Sequence, residues 1–573
     1  MALRSPLYQR EGQNGIFALV GPILTLHDPA AARRHYESGV WQSETLYALL
    51  RRHALARPDA FALRDGVRRL TWGEFLRWTD ALAADLHAAG LRAGERVSVW
   101  LPNRAETVVT FLACSRNGYI INPSLHRAYS AAETVALASG IRAAALVAEP
   151  GFGAGGDVFA LAREVSSFRR VYHVAPRKAA APPVDAGPFP APDAAAPAPP
   201  PADDNPDKIV YLAFTSGTTG KPKGVLHSDN TLLANGRAMA ADWKLDAATV
   251  LLSLSPLSHH IATVALEQAL VAGCELVVND PPQGAAALDW LLATGATYVM
   301  GVPTHAMDML DAARARGLQK LGAVGIFYMA GAPIPRETAQ EFLDRGITAQ
   351  NIYGMTENGS HQYTLPSDDA ATIVETCGRA GKGYEVRIFK ADDPDTEAAP
   401  GEAGEIGGKG GVLTLGYFDD QLATESSFNR SGWFMSGDLG RLRENGCLEI
   451  LGRKKDLIIR GGRNIYPAHI EDLAMRHEGV ARAAAFAVPD RRLGEKVCLA
   501  IVPQGTASPQ PMALLAHLRE SGLSIYDMPE YFVALSEFPL TASGKVLKRE
   551  LAQLARDGKI APEPIEWRER KGA

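Results

Sequence analysis

Between residues 250 and 352, short apolar runs alternate with amphipathic stretches of helical length, and no other feature of the 573-residue chain constrains its fold as much. Runs at 250–254, 275–279, 297–302, 324–329 and 347–352 read as strands. The segments between them, 261–272, 285–294, 303–316 and 335–345, have helical apolar spacing. The third opens at Pro303, a residue suited to a first helical turn. Strands separated by helices of this length predict an α/β fold: a parallel sheet with helices on its faces and ligands at the carboxyl ends of its strands. Upstream, 45–57 and 71–90 read as helices, the second with Thr71 and Glu74 spaced as a capping box. A strand at 97–101 and a helix at 106–118 continue the rhythm.

The chain is too long for one compact core. From 378 to 450 short strands alternate with Gly-rich turns, which suggests a small β-subdomain. Beyond it, strands at 456–460, 483–488, 497–502 and 532–535 mix with helices at 467–477, 514–521 and 546–556, the pattern of a smaller α+β domain. The expected division is a large N-terminal domain over 1–452 and a C-terminal domain over 453–573. Residues 1–45 read as a surface arm with an aromatic segment near Trp41. Residues 176–206, dominated by Ala and Pro, read as an extended, unpacked insert. A net charge of −5 without a basic block argues against nucleic acid as a partner. No uninterrupted apolar run is long enough for a membrane span, and residues 1–10 lack the apolar core of a signal peptide. The five cysteines are scattered without a CxxC pair, which fits buried thiols and a cytoplasmic location. Oligomeric state leaves no mark on the sequence, and a homodimer stays open.

The stretch 215–224, TSGTTGKPKG, follows the apolar run 209–214 directly. Gly217, Gly220 and Gly224 permit tight turns and close backbone approach to a ligand. Thr215, Ser216, Thr218 and Thr219 bring hydroxyls, and Lys221 and Lys223 bring charge. Together these describe a polyphosphate cradle. It is not a Walker A loop, because Pro222 follows Gly220-Lys221 and Thr215 stands where that pattern needs Gly. Farther on, Tyr353-Gly354-Met355-Thr356-Glu357 follows a strand and offers a ring face for adenine, a hydroxyl for an α-phosphate and a hard oxygen ligand for Mg²⁺. Gly437-Asp438 supplies a carboxylate suited to the two hydroxyls of ribose.

TSGTTGKPKG resembles the phosphate-binding signature of the adenylate-forming enzymes: acyl- and aryl-CoA synthetases, peptide-synthetase adenylation domains and firefly luciferase. The 353–357 segment resembles the same family's Tyr-Gly-x-Thr-Glu motif. Residues 436–438 resemble its Thr-Gly-Asp, although Met435-Ser436 replaces the usual Arg-Thr. Two further segments agree: Gly452-Arg453-Lys454-Lys455-Asp456 with Gly461-Gly462-Arg463-Asn464, and 539–548 with Ser543-Gly544-Lys545. The resemblance implies ATP, Mg²⁺ and CoA as cofactors and co-substrates. It implies nucleotide contacts at 215–221, Lys223, Gly331, Ala332, Pro333, Asn351, Tyr353, Gly354, Met355, Thr356, Asp438 and Arg453. It makes Glu357 the metal ligand, Lys455 a hinge, Gly461, Gly462 and Asn464 the pantetheine channel, and Thr356, Glu357, His259 and Lys545 the catalytic set. His259 lies in Pro256-Leu257-Ser258-His259, which resembles the family's Pro-x-x-His at the border of acid and adenylate.

The acid pocket is expected beside the α-phosphate, with His259, His260, Val302, Phe327, Ala330, Gly331, Ala332, Met355 and Gly359 as its lining. Small residues at 330–332 leave room for a ring or short branched chain. Leu254, where hydroxybenzoate-activating relatives carry Asn, cannot donate a hydrogen bond and disfavours a salicylate-like acid. Asn464, where some acetyl-specific members carry Arg, points away from acetate. The implied function is an AMP-forming acid–CoA ligase for a hydrophobic cyclic, aromatic or medium-chain acid. Alternatives are an acyl-AMP ligase that loads a carrier protein, a dead nucleotide-binding scaffold and a luciferase-type oxygenase. The ammonium of Lys545 is expected to bridge two anions as they meet. Lys545→Ala should therefore abolish acid-dependent pyrophosphate release while largely sparing thioester formation from supplied acyl-AMP; equal loss of both half-reactions would contradict that role.

Overall fold

The computed structural model describes residues 28–176, 183, 186–192, 198–215, 222–332, 334–505, 508–540, 546–565 and 567. It divides into two compact units, one running to Glu385 and including Gly408–Trp433, the other made of Val386–Gly407 and the chain from Phe434 onward. The sequence reading places the boundary at 452/453, whereas this division groups 434–452 with the C-terminal residues. The antiparallel pair Phe434–Leu442 and Leu448–Arg453 does so because the helix Pro467–Met475 packs on its second strand.

In the first unit, the predicted strands form one nine-stranded sheet. Glu275–Val278, Val250–Ser253, Tyr298–Gly301, Ile326–Met329 and Thr348–Met355 lie side by side and parallel in that order. Their apolar residues alternate between two cores, as side chains on a strand must. Leu251, Leu276, Tyr298, Met300 and Tyr328 join the largest core, which also takes in the helix His260–Ala272. Leu252, Val277, Val299, Phe327 and Met329 face the other, with helices Ala287–Thr294, Pro303–Ala315 and Arg336–Asp344. Burial on both faces explains why these strands read as unbroken apolar runs. A second, seven-stranded sheet sets Arg96–Trp100 and Ile120–Asn122 beside Ile209–Thr215, which pairs antiparallel with Lys223–Ser228. The capping box of Thr71 and Glu74 is present.

Two sequence expectations are corrected here. Residues 28–39, with the helix Pro29–Glu37, lie largely at the surface, but the expected arm does not extend to 45: Val40, Trp41 and Thr45 are buried, the Trp41 indole N–H donating to the Gly411 carbonyl at 2.8 Å. The described part of 176–206 is packed too. Gly187–Pro188 extends the seven-stranded sheet, and Phe189 lies edge-on to Trp78. Carbonyls of this stretch also serve as acceptors: Trp78 donates to Pro190 at 2.6 Å and Arg116 to Pro200 at 2.7 Å. Residues 177–182, 184, 185 and 193–197 lie outside the described residues.

The second unit centres on the antiparallel pair Val480–Asp490 and Gly494–Pro503, covered by helices Pro467–Met475, Pro511–Glu520 and Lys548–Arg556. Among the described residues, no helix is long and apolar enough to cross a membrane. The cysteines are free; burial raises the thiols of Cys274, Cys377 and Cys498 to about 12, which suits structural rather than nucleophilic thiols.

The helices Asp229–Asp242 and His260–Ala272 touch where Gly236 meets Glu267. A Cβ at Gly236 would stand 2.7 Å from the Glu267 Cβ and 2.9 Å from its carbonyl carbon. Gly236→Ala should thus force the helices apart, cost about 1–3 kcal/mol and lower the melting temperature by several degrees, as thermal unfolding would record.

Candidate active site

The cradle segment begins and ends in a hairpin. Thr215 pairs with Lys223 and Phe214 with Gly224, so the two ends of the segment lie side by side. Ser124 accepts from the Phe214 backbone N–H at 2.6 Å and pins the outgoing strand. Ser216, Gly217, Thr218, Thr219, Gly220 and Lys221 lie outside the described residues. Lys223 places its ammonium over the Tyr417 ring, 4.6 Å from the centroid. The same tyrosine donates its hydroxyl to Glu357 Oε1 at 3.0 Å. One aromatic side chain thus touches both the lysine at the base of the cradle and the proposed metal ligand. Burial first, then the Glu357 charge, raises the Tyr417 phenol, so it remains a donor across working pH. Sequence reading missed Tyr417, which stands far from either motif and carries no local signal.

Thr356 and Glu357 sit at the tip of a sharp reversal. Thr348–Met355 runs parallel in the nine-stranded sheet and then pairs antiparallel with Gly359–Tyr363. Gly354 is required because any Cβ there would collide with the Gly359 carbonyl oxygen, and Gly359 itself has φ +60°. Asn358 Oδ1 accepts from the Met355 N–H at 3.0 Å and closes the turn. The carbonyls of Thr356 and Glu357 are held by His227 Nε2 and the Thr414 N–H, both at 2.6 Å. Since a carbonyl only accepts, His227 carries its proton on Nε2, and its Nδ1 lies 3.0 Å from the Thr231 hydroxyl. Burial drives its pKa down to about 4, which keeps the ring neutral. His227 is the second residue that sequence reading overlooked. Tyr353 is nearly buried, with its ring edge-on to His361. The Asn351 amide donates to the Ile373 carbonyl at 3.2 Å, so its side chain braces the helix Ala370–Glu375.

His259 caps the helix His260–Ala272, its Nδ1 accepting from the Ile261 N–H at 3.4 Å. His260 is buried, stacked on His227 with centroids 5.6 Å apart, and its Nδ1 lies 3.1 Å from the Tyr211 hydroxyl. Gly331 leaves open a space that Val302 and Ile261 border: a Cβ there would lie 3.6 and 3.7 Å from their side chains. Ala330 shares a face with Tyr328, and Tyr328 hydrogen-bonds Ser360, next to Gly359, at 2.7 Å. Val302, Ala330, Gly331, Gly359 and His260 thus gather around one core. Met355 is half-buried, Ala332 is exposed, and Pro333 lies outside the described residues. Phe327 does not belong with them. It points to the opposite core, stacked on Phe342 at 4.5 Å, because residues one apart on a strand face opposite ways; Tyr328 is the in-phase residue. Leu254 packs in that opposite core as well, so its side chain carries no argument about a salicylate-like acid.

In the second unit, Asp438 and Arg453 are cross-strand partners, with Nε to Oδ1 at 2.9 Å. Ser436 holds this corner: its hydroxyl donates to the Ile406 carbonyl at 2.8 Å and accepts from the Asp438 N–H at 3.1 Å. The substitution of Ser for the usual Thr therefore keeps the hydroxyl in use. Lys455 lies in a single 3-10 turn, Lys454–Asp456, and burial followed by the Arg453 charge lowers its pKa. Ile458–Arg460 and Arg463–Ile465 form a hairpin whose two-residue turn is Gly461-Gly462, with φ +57° and +83°. Both positions need the left-handed region, as a type I′ turn does. Asn464 is exposed on the returning strand. Lys545 lies outside the described residues.

Among the described residues no group of three or more His, Cys, Asp or Glu could hold a metal alone. A single carboxylate braced by a tyrosine suits Mg²⁺, which commonly takes one or two protein carboxylates and completes its shell with phosphate oxygens and water.

Comparison with known proteins gives the family. A family model described as AMP-binding enzyme matches residues 50–418, and one described as AMP-binding enzyme C-terminal domain matches 469–545. A medium-chain fatty-acid–CoA ligase of Escherichia coli is 29% identical, over 89% of this chain and 90% of its own. A salicylyl-CoA synthase/salicylate adenylyltransferase of a Streptomyces species is 31% identical, over 92% and 96%. The crystal structure of ATP-bound MatB from Rhodopseudomonas palustris superposes with a TM-score of 0.79 at 28% identity, covering 90% of this chain and 99% of that one. With its cradle hairpin, its Thr356–Glu357 turn and these matches, the chain belongs to the AMP-binding, adenylate-forming enzyme family.

Proposed function

We propose that the protein is an ATP-dependent, AMP-forming carboxylic acid–CoA ligase acting on a hydrophobic cyclic, aromatic or medium-chain acid. The observation that carries this reading is the contact chain Lys223–Tyr417–Glu357, which ties the cradle hairpin to the turn bearing Thr356. A carboxylate is a poor acyl donor because its leaving group is oxide. Attack of the acid on the α-phosphorus of ATP forms a carboxyl–phosphorus link and releases pyrophosphate, so the acyl carbon acquires AMP as leaving group. The CoA thiol then displaces AMP. No protein nucleophile is needed; catalysis lies in positioning and charge neutralisation.

In this reading the 215–223 hairpin binds the outer phosphates, with Lys223 held over Tyr417. The Thr356 hydroxyl meets the α-phosphate, and Glu357 would hold Mg²⁺, which supplies positive charge to the phosphate oxygens. Asp438 and Arg453 serve the ribose, and Lys545 the adenylation step. Gly461, Gly462 and Asn464 form the pantetheine channel. His260, Val302, Ala330, Gly331 and Gly359 line the acid pocket. Relatives named for a medium-chain fatty acid, salicylate and ferulate support an apolar or aromatic acid, and their names favour CoA over a carrier protein as acceptor. The cytoplasm, where ATP, CoA and free thiols coexist, is the proposed compartment.

Glu357→Gln should lower acid-dependent pyrophosphate release about 10²–10³-fold. Tyr417→Phe keeps the ring under Lys223 and removes only the hydroxyl on Glu357, so it should cost about 10- to 100-fold and raise the magnesium concentration needed for half-maximal rate. Unchanged magnesium dependence in Tyr417→Phe would remove this tyrosine from the metal site.

A further inference from the structure

His260, Thr263 and Glu267 fall at i, i+3 and i+7 of the helix His260–Ala272, on one face. All three are buried. The first two meet Tyr211, whose hydroxyl lies 3.1 Å from His260 Nδ1 and 3.5 Å from Thr263 Oγ1. Glu267 is different. Only 1% of it is exposed, and among the described residues neither carboxyl oxygen has a hydrogen-bond partner. Its backbone and Cβ lie against Gly236 of the helix Asp229–Asp242, where an added Cβ would stand 2.7 Å from the Glu267 Cβ. Asn235, beside Gly236, accepts from the Ser360 N–H at 2.9 Å, and Ser360 hydrogen-bonds Tyr328 at 2.7 Å, so this stretch of the helix packs close to the residues around Ala330.

Other buried carboxylates among the described residues are satisfied. Asp229 accepts from the Leu46 N–H, the Ser115 hydroxyl and Lys208. Glu106 pairs with Arg68 and Arg104, and Glu471 with Lys548 and the Ala485 N–H. Leaving a buried carboxyl unpartnered is costly, and an apolar side chain at 267 would avoid that cost. Burial holds the Glu267 pKa well above the ordinary carboxylate range, so the group is a neutral acid with one donor and one strong acceptor.

We propose that Glu267 closes the inner end of the acid pocket and hydrogen-bonds a hydroxyl or keto oxygen at the far end of the acid. The inference rests on the acid–CoA ligase reading and narrows its substrates to acids oxygenated away from the carboxylate. Seven residues of helix separate Glu267 from His260, a rise of about 10 Å. The oxygen is therefore expected that far from the carboxylate, on a side chain or ring of matching length.

The test compares matched acids on the full-length enzyme: octanoic with 8-hydroxyoctanoic acid, and cinnamic with 4-hydroxycinnamic acid. It follows pyrophosphate release and CoA thioester. The wild type should favour the hydroxylated member of at least one pair by about 10²-fold in kcat/KM, because a site with a buried polar group rejects the analogue that leaves it unpaired. Glu267→Leu should erase that ratio, chiefly by raising kcat/KM for the parent acid whose penalty it removes, and not lower the melting temperature. Glu267→Gln, which still donates and accepts, should keep most of the preference. Equal rates for both members of each pair in the wild type would overturn the proposal. So would a Glu267→Leu enzyme that loses both members alike with the ratio unchanged, which would mark a structural glutamate or one satisfied by water. If no acid in the panel releases pyrophosphate, the ligase reading falls together with the proposal, whereas a failed ratio with active turnover sinks the proposal alone.

Discussion

The reversal at 354–359 is the constraint on which the site depends. The chain must leave a buried parallel strand, expose two polar residues, and return antiparallel beside the strand it has just left. That geometry admits no side chain at Gly354 and calls for positive φ at Gly359. Asn358 and Asn235 then satisfy the freed backbone N–H groups, Asn235 by accepting from the Ser360 N–H at 2.9 Å. Because the turn is over-determined, Thr356 and Glu357 project from a fixed backbone, and neither needs ordering when substrate arrives.

The rest of the first unit is arranged around that turn. His227 follows the cradle hairpin and reaches the Thr356 carbonyl; Thr414 and Tyr417 reach Glu357 from a distant part of the chain. Two sheets thereby share one set of hydrogen bonds at the place where phosphate would be bound. Neutral imidazoles stacked in the interior do this without adding charge: burial lowers the pKa of both His227 and His260. A protonated pair there would meet strong repulsion and a large desolvation cost.

Most of the architecture was legible in the sequence, for a physical reason. Parallel strands buried on both faces appear as continuous apolar runs, and the helices between them keep their own period, so 250–352 could be parsed residue by residue. The phosphate and Thr-Glu loops were legible because glycines, hydroxyls and charges sit adjacent in sequence. What was not legible depends on distance or phase. Tyr417 and His227 act on Glu357 and Thr356 from far along the chain and look locally like ordinary core residues. Phe327 was placed in the pocket because an unbroken apolar run does not reveal which residues face which side; only the packing of Tyr328 and Ala330 sets the phase. Trp41 and Phe189 read as exposed chain because a single aromatic in a segment without periodicity gives no sign of the groove it fills.

The interior of the first unit is unusually polar around the helix His260–Ala272, and that polarity bears on specificity rather than stability. Tyr211, Thr263, Tyr328 and Ser360 satisfy one another or His260, so each costs little. Neighbouring Gln268 donates to the Val264 carbonyl at 3.3 Å and is tied into its own helix. A fold selected only for a stable core would have filled these positions with apolar side chains of similar volume. A polar wall instead makes the pocket able to reject acids that leave its groups unpaired, which apolar walls do poorly. On that argument the residues that select the acid should be sought deep along this helix, not among the small residues at 330–332. On that reading the polar face of the helix would set what the far end of the acid must carry.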